Sequence, residues 1–208
     1  MSKLSVSQRK YLETAVEAYE AQVSVQVAAY LVQRGITKEV AHTYRLGGVV
    51  EPLVGDEEFT GRLSIPYITR TGVIDIRYRA LAPDQTPKYL SRTGSQIRLY
   101  NVSALLKPSE TIAICEGEID AITMDALVGV PAVGVPGSNS WRDHFRLLFE
   151  DYSQVLVMCD GDQAGREFGK RIAGEITGAT IIHMPEGTDV NDVYVNEGAD
   201  GVKKRIGL

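Results

Sequence analysis

Hydrophobic and polar residues follow two rhythms along this chain, and the change falls near Thr111. Early on, Ala15, Val16, Tyr19, Val23 and Val27 recur at helical spacing, so the chain to about Gly35 reads as helix. Ser24 is placed to cap a second helix and Gly35 to end it. Thr37 is a suitable cap for a short helix ending near Gly47-Gly48. The stretch Glu51 to Gly61 is rich in turn-forming and acidic residues and reads as a connector. The runs 62–68 and 73–79 then alternate around Thr71-Gly72, which predicts an antiparallel hairpin. Strict alternation puts Val73, Asp75, Arg77 and Arg79 on one face and Ile74, Ile76 and Tyr78 on the other. Pro83 to Arg98 is polar and reads as loop, with Lys88-Tyr89-Leu90 inside it.

From Thr111 short apolar runs alternate with helical segments. Strands are predicted at Thr111–Cys115, Pro131–Val135, Val155–Cys159 and Thr180–His183. Helices are predicted at Glu118–Leu127, Trp141–Phe149, Ala164–Ile176 and Val190–Asn196. Apolar strands alternating with helices argue for a parallel sheet covered on both sides. The fold class is therefore α/β: a parallel sheet with flanking helices, preceded by a smaller mixed α+β subdomain. Three segments follow: a helical one over 1–60, a mixed one over 61–109, and the parallel sheet over 110–208.

Charge sharpens this division. The net charge is −5. Between Gly61 and Lys107, however, 8 Lys+Arg face 2 Asp+Glu, while from Pro108 onward 8 Lys+Arg face 17 Asp+Glu. A basic segment followed by an acidic one suits a protein that holds phosphates with one part and cations with the other. Solvated surfaces give the same pattern by coincidence, so charge alone does not decide. The two cysteines, Cys115 and Cys159, each close an apolar run and read as buried, reduced thiols. Two cysteines without a CxxC spacing exclude a Cys₄ zinc module. No apolar stretch is long enough to span a membrane, and the start of the chain lacks a signal-peptide core, so a cytoplasmic location is expected.

The carboxylates carry the chemistry. One predicted strand ends at Cys115 and runs into Glu116-Gly117; another ends at Cys159 and runs into Asp160-Gly161-Asp162. Ligands of parallel sheets sit beyond the carboxyl ends of the strands, and both motifs fall there. Asp160 and Asp162 are two apart, so extended backbone directs both to one side. Converging carboxylates repel unless a cation lies among them, and oxygen-only ligands favour Mg²⁺ or Mn²⁺ over zinc. A lone Glu-Gly or Asp-Gly-Asp is ordinarily a turn; the joint placement after two apolar strands is what favours a metal site. Asp120 read alone is a solvated helix residue, and Asp189 a helix cap. Gly165 to Arg171 is one residue short of a phosphate-binding P-loop and lacks the Ser/Thr after Lys170. Pro136 to Ser140 precedes a predicted helix and reads either as a plain cap or as backbone amides for a phosphate.

In order, these motifs resemble the Toprim domain of DnaG-type bacterial and phage primases. Glu116-Gly117-Glu118-Ile119-Asp120 matches its Glu-Gly-x-x-Asp, and Asp160-Gly161-Asp162-Gln163-Ala164-Gly165 its Asp-x-Asp with Ala-Gly. Gly187-Thr188-Asp189-Val190-Asn191 matches its Gly-Lys-Asp-x-Asn/Asp, with Thr188 in place of the usual lysine. Upstream, Arg34-Gly35-Ile36, Gly61-Arg62-Leu63-Ser64-Ile65-Pro66, Pro87-Lys88-Tyr89-Leu90-Ser91 and Leu99-Tyr100-Asn101 resemble primase-core elements, Ser64 departing from a hydrophobic position. The resemblance runs from Tyr30 to about Gly198 and implies a Toprim-like sheet and a primase activity. It implies Glu116, Asp160 and Asp162 as catalytic carboxylates, with Asp120 and Asp189 joining them as ligands of Mg²⁺ or Mn²⁺ and no zinc. It implies Arg79 and Lys88 as contacts for a nucleotide or template, with Arg77, Arg92, Arg98 and Asn191 behind them. The implied partners are single-stranded DNA and nucleoside triphosphates. The family's zinc ribbon and helicase-linked region have no counterpart here, so a replicative helicase or a separate zinc-bearing chain is an expected partner. The stripped-down form looks phage-like. Two other readings stand beside this one: a Toprim-type nuclease, and a non-catalytic module that grips single-stranded DNA or a replication partner.

Overall fold

The computed structural model describes residues 4–82 and 84–208; Met1–Lys3 and Pro83, the first residue of the predicted polar loop, lie outside them. The chain divides into two compact units, Met1–Gln96 and Ile97–Leu208. Residues 1–60 and most of the basic segment 61–109 thus share one unit, and residues 97–109 go with the parallel sheet.

The first unit begins with helices α1 (Val6–Glu20), α2 (Val25–Gln33) and α3 (Lys38–Thr43). The predicted caps Ser24 and Thr37 both accept a backbone amide, from Val27 and Val40. The chain then forms a four-stranded antiparallel sheet in the order β1 (Gly47–Gly48), β2 (Leu63–Thr69), β3 (Gly72–Arg79), β4 (Tyr89–Ser91). Gly47-Gly48 is therefore an edge strand rather than a helix end. The reason is space: a Cβ on Gly47 would overlap the Tyr19 carbonyl of α1. Leu12, Ala15, Val16 and Tyr19 of α1 pack on Val73, Ile76 and Tyr78 of β3. Val73 thereby sits on the face opposite to the one alternation predicts. The hairpin register slips between Tyr67 and Ile68, leaving Ile74 as an extra residue, and this bulge turns Val73 inward. The loop reading of 83–98 gives way to β4, whose three residues pair with β3.

The second unit is a parallel sheet in the order β6 (Ala132–Gly134), β5 (Thr111–Cys115), β7 (Gln154–Cys159), β8 (Ala179–His183). Its helices are α4 (Glu118–Ile122), α5 (Gln163–Glu175) and α6 (Val190–Ile206). On one face, Ile112, Ile114, Val155 and Val157 pack with Trp141, Phe145, Phe149, Phe168 and Ile172. The intervening Ala113, Cys115, Leu156 and Met158 are buried as well, so the sheet is covered on both sides. Both cysteines are free and buried.

Three helices differ from the predicted ones. α4 passes at Thr123 into a π-type turn over Thr123–Val128. The apolar spacing of Trp141, Phe145 and Phe149 predicts an α-helix, yet Asp143–Leu148 winds as a 3₁₀ turn without a side-chain cap. Trp141 itself is extended and fully buried, its indole N–H donating to Glu175 at 2.7 Å. α6 continues to Ile206 across a kink at Gly198, whose positive φ breaks the helical path. Among the described residues no helix is long and apolar enough to cross a membrane.

Candidate active site

Each acidic motif begins where a buried parallel strand ends. Glu116 follows β5, and its Oε1 accepts the Asp160 backbone N–H at 2.9 Å at the end of β7. A second feature holds this carboxylate close: a Cβ on Gly165 would lie 2.7 Å from Glu116 Oε1 and 2.7 Å from the Asp160 nitrogen. Only glycine allows this approach. Asp162 caps α5, accepting the Gly165 N–H at 2.8 Å. It remains exposed, while Glu116 and Asp160 are half-buried. Burial pushes the Glu116 carboxyl up to about 7; the charges of Asp162 and Asp120 add to this, and the Asp160 amide opposes it. Asp120 lies on the first turn of α4 and is buried.

The loop before α6 is zipped against the Asp160–Asp162 turn. Gly161 N–H donates to Thr188 O at 2.8 Å, and Gly187 N–H donates to Gly161 O at 3.0 Å. A Cβ on Gly161 would overlap the Pro185 carbonyl. Asp189 caps α6 in a reciprocal capping box with Asp192. Its carboxylate therefore already serves the helix.

These oxygens fit a hard divalent cation in type. Burial and mutual repulsion of Glu116, Asp120 and Asp162 make a positive charge favourable among them. Among the described residues no three acidic, histidine or cysteine side chains already converge as a ligand cluster.

The basic residues of the first unit form an aromatic-backed strip. Arg79 and Tyr89 are direct cross-strand partners on β3 and β4. The Arg77 guanidinium lies 4.1 Å from the Tyr89 ring centre, Arg79 lies 5.3 Å from it, and Lys88 lies 6.0 Å from it. Arg79 also donates to the Tyr89 hydroxyl. On α2, Tyr30 receives Arg79 at 5.1 Å and Arg34 at 5.7 Å. Four cations are thus interleaved with two tyrosines. Tyr30 and Arg34 entered the sequence reading as part of a motif with no binding role, because their place in the strip depends on α2 reaching β3.

Three expected site residues stand elsewhere. Arg92 pairs with Asp56, which is 0% exposed, and donates to the Tyr11 hydroxyl at 3.1 Å. Asp56 also accepts the Tyr19 hydroxyl at 2.6 Å. Arg92 is therefore a strut of the first unit's core. Asn191 is 0% exposed, with its side chain turned into the second unit, so it offers no surface to a nucleotide. Arg98 belongs to the second unit, where it is half-buried and its Nε has no hydrogen-bond partner. The amide of Gly137 donates to Val135 O at 2.7 Å, which removes it from the proposed phosphate loop at 136–140.

Known proteins share this architecture. A family profile described as Toprim-like matches residues 113–194. The gene 57 protein of Mycobacterium phage D29 is 46% identical over 153 residues, covering 71% of this chain and 99% of that protein. A DNA primase of Pseudomonas aeruginosa is 25% identical over 224 residues, covering 85% of this chain and 33% of the primase. The chain thus spans about a third of that bacterial relative's length. The solved structure of the DnaG catalytic core superimposes with a TM-score of 0.79 at 22% identity, covering 96% of this chain and 79% of that one. The chain belongs to one family with the D29 gene 57 protein, and its Toprim-like region and DNA primase relatives make it a DnaG-type primase homologue.

Proposed function

We propose that this chain is a primase catalytic core that makes short RNA primers on single-stranded DNA in a reaction dependent on Mg²⁺ or Mn²⁺. The observation that carries this reading is the joining of Glu116 to the Asp160–Asp162 turn through the Asp160 amide and Gly165. Phosphoryl transfer needs little covalent chemistry from a protein; positioning and charge neutralisation are enough. Glu116, Asp160 and Asp162, with Asp120, are the residues that would hold the cation, and Asp189 adds a further carboxylate once its cap is shared. A bound divalent cation supplies neutralisation of the triphosphate and acidification of the attacking hydroxyl. Arg79, Arg77 and Lys88 bind phosphates of template or nucleotide, and the Tyr89 and Tyr30 rings hold those arginines extended. Arg34 extends the same strip. Tyr89 also offers a ring face to a base. A replicative helicase or a separate zinc-bearing chain is the partner this reading expects.

The test is synthesis of labelled oligonucleotides on single-stranded DNA with all four nucleoside triphosphates and either metal, with Asp160→Ala alongside. Short products that vanish in the variant support a primase using this site. Template degradation that vanishes in the variant replaces the reading with a nuclease. DNA binding without either reaction, even with excess of both metals, replaces it with a non-catalytic binding module.

A further inference from the structure

The two acidic motifs follow neighbouring parallel strands, β5 and β7, with α4, β6 and two 3₁₀ turns between them along the chain. The first turn of α6 is tied to both. One tie is the pairing of Gly161 with Gly187 and Thr188, which holds the chain just before α6 on the Asp160–Asp162 turn. The other tie is Asn191. Its backbone N–H, one of the orphan donors of the α6 amino end, donates to Asp120 Oδ1 at 3.0 Å across 71 residues. Its side-chain Nδ2 donates to Thr123 Oγ1 at 2.9 Å, and that hydroxyl donates to Ile119 O at 2.8 Å. Asn191 and Thr123 are both 0% exposed. Thr123 is the residue at which α4 opens into the π-type turn.

The division of labour at Asp120 follows from these contacts. Oδ1 receives the helix amide, and Oδ2 lies back toward the Glu116-Gly117 turn, 3.3 Å from where a Gly117 Cβ would stand. A carboxylate on a single-carbon stem has two torsions; a fixed donor on one oxygen sets the direction of the other. Asn191 thus ties one turn of α6 to both Asp120 and Thr123.

We infer that Asn191 is a positioning residue: its carboxamide, anchored on Thr123, locks the first turn of α6 so that its amide holds the Asp120 carboxylate toward the cation site. This rests on the reading of Glu116, Asp120, Asp160 and Asp162 as a divalent-cation site. It replaces contact with nucleotide as the role of Asn191. The group that matters is the Thr123 hydroxyl together with the Asn191 amide, not either residue's bulk.

The experiment is a Mn²⁺ titration of the full chain, read by the electron paramagnetic resonance signal of free Mn²⁺, with thermal unfolding of each metal-free variant in parallel. Thr123→Val removes the anchor at nearly constant volume, Thr123→Ser restores it, and Asn191→Ala removes the other partner. The expected result is about tenfold weaker Mn²⁺ binding for Thr123→Val and Asn191→Ala, the size usual for residues that orient metal ligands. Thr123→Ser binds as the wild type, and the double variant binds no worse than the weaker single one. Where Asn191→Ala does not fold, the Thr123→Val and Thr123→Ser pair decides alone. Equal Mn²⁺ affinity in wild type and Thr123→Val, with only the unfolding temperature lowered, overturns the positioning role and leaves the cation site standing. No Mn²⁺ binding by the wild type overturns the cation site, and the positioning role with it.

Discussion

The two units solve opposite electrostatic problems with different means. The first unit must present long, flexible cationic side chains, and it does so by laying Arg77, Arg79 and Lys88 against Tyr89 and by setting Arg79 and Arg34 against Tyr30. The second must bring short carboxylates close together, and it does so with backbone amides and glycines: the Asp160 amide and Gly165 for Glu116, the Gly165 amide for Asp162, the Asn191 amide for Asp120. The difference follows from side-chain length. An arginine loses several rotamers when fixed, so an aromatic plane that limits them in advance lowers the cost of binding. An aspartate loses few and is placed mainly by its backbone, so the turn geometry does the work.

The comparison is most severely tested in the second unit. Asp160→Ala is expected to lower priming by at least about 10³-fold while keeping the backbone amide that holds Glu116. Asp162→Ala should lower activity as well, and in addition cost about 1 kcal/mol of stability by removing the α5 cap. Primer synthesis and urea denaturation on the same preparations separate the two.

In the first unit the sharpest contrast lies between two arginines. Arg92→Met leaves Asp56 buried without its cation and should cost about 3–5 kcal/mol in urea denaturation. Arg79→Ala should reduce the salt dependence of oligonucleotide binding by roughly 0.7 in the log–log slope, one phosphate contact. Equal salt slopes in Arg79→Ala and wild type would remove Arg79 from the strip's function.

Tyr89→Leu tests the aromatic backing itself. All four cations remain, so the salt slope should stay the same while affinity for single-stranded DNA falls by about three- to tenfold. Fluorescence anisotropy across a salt series reads both quantities. The smallest effect concerns Glu116. Its folded-state value of about 7 exceeds the ordinary 4.5, so the folded protein holds that proton more tightly than the unfolded chain. In EDTA the stability it confers is greatest below pH 4.5 and declines as pH rises toward 7. Glu116→Gln, neutral throughout, should show a smaller loss of unfolding temperature between pH 5 and pH 8 than wild type. After allowance for partial solvent exposure the difference is about 2–4 °C.

Part of this molecule was readable from residue order alone. The apolar runs at Thr111–Cys115 and Val155–Cys159, each followed by an acid and a glycine, located the carboxyl ends of two parallel strands, and β5 and β7 occupy those positions. Ser24 and Thr37 were visible as caps because a cap is a local hydrogen bond, three residues long. The hairpin of β2 and β3 was visible, but not which way Val73 faces, because the bulge at Ile74 reflects packing under α1. Gly47-Gly48 reads as a helix stop until the Tyr19 carbonyl is seen to press on it.

What the sequence determined by itself, then, is the alternation of strands and helices, the segregation of basic from acidic stretches, and the acidic motifs at strand ends. The elements and motifs are local, set by residue type and spacing over short stretches, and the charge segregation is a sum of residue types along the chain. What only the tertiary structure decided is which charges are available and which are committed. Arg92 is matched to the buried Asp56, Arg79 stays in the strip of Tyr89 and Tyr30, and Asn191 is turned inward to Thr123 and Asp120. The physical reason is that burial and ion pairing are properties of neighbours in space: Asn191 and Asp120 are 71 positions apart, and no spacing rule along the chain links them.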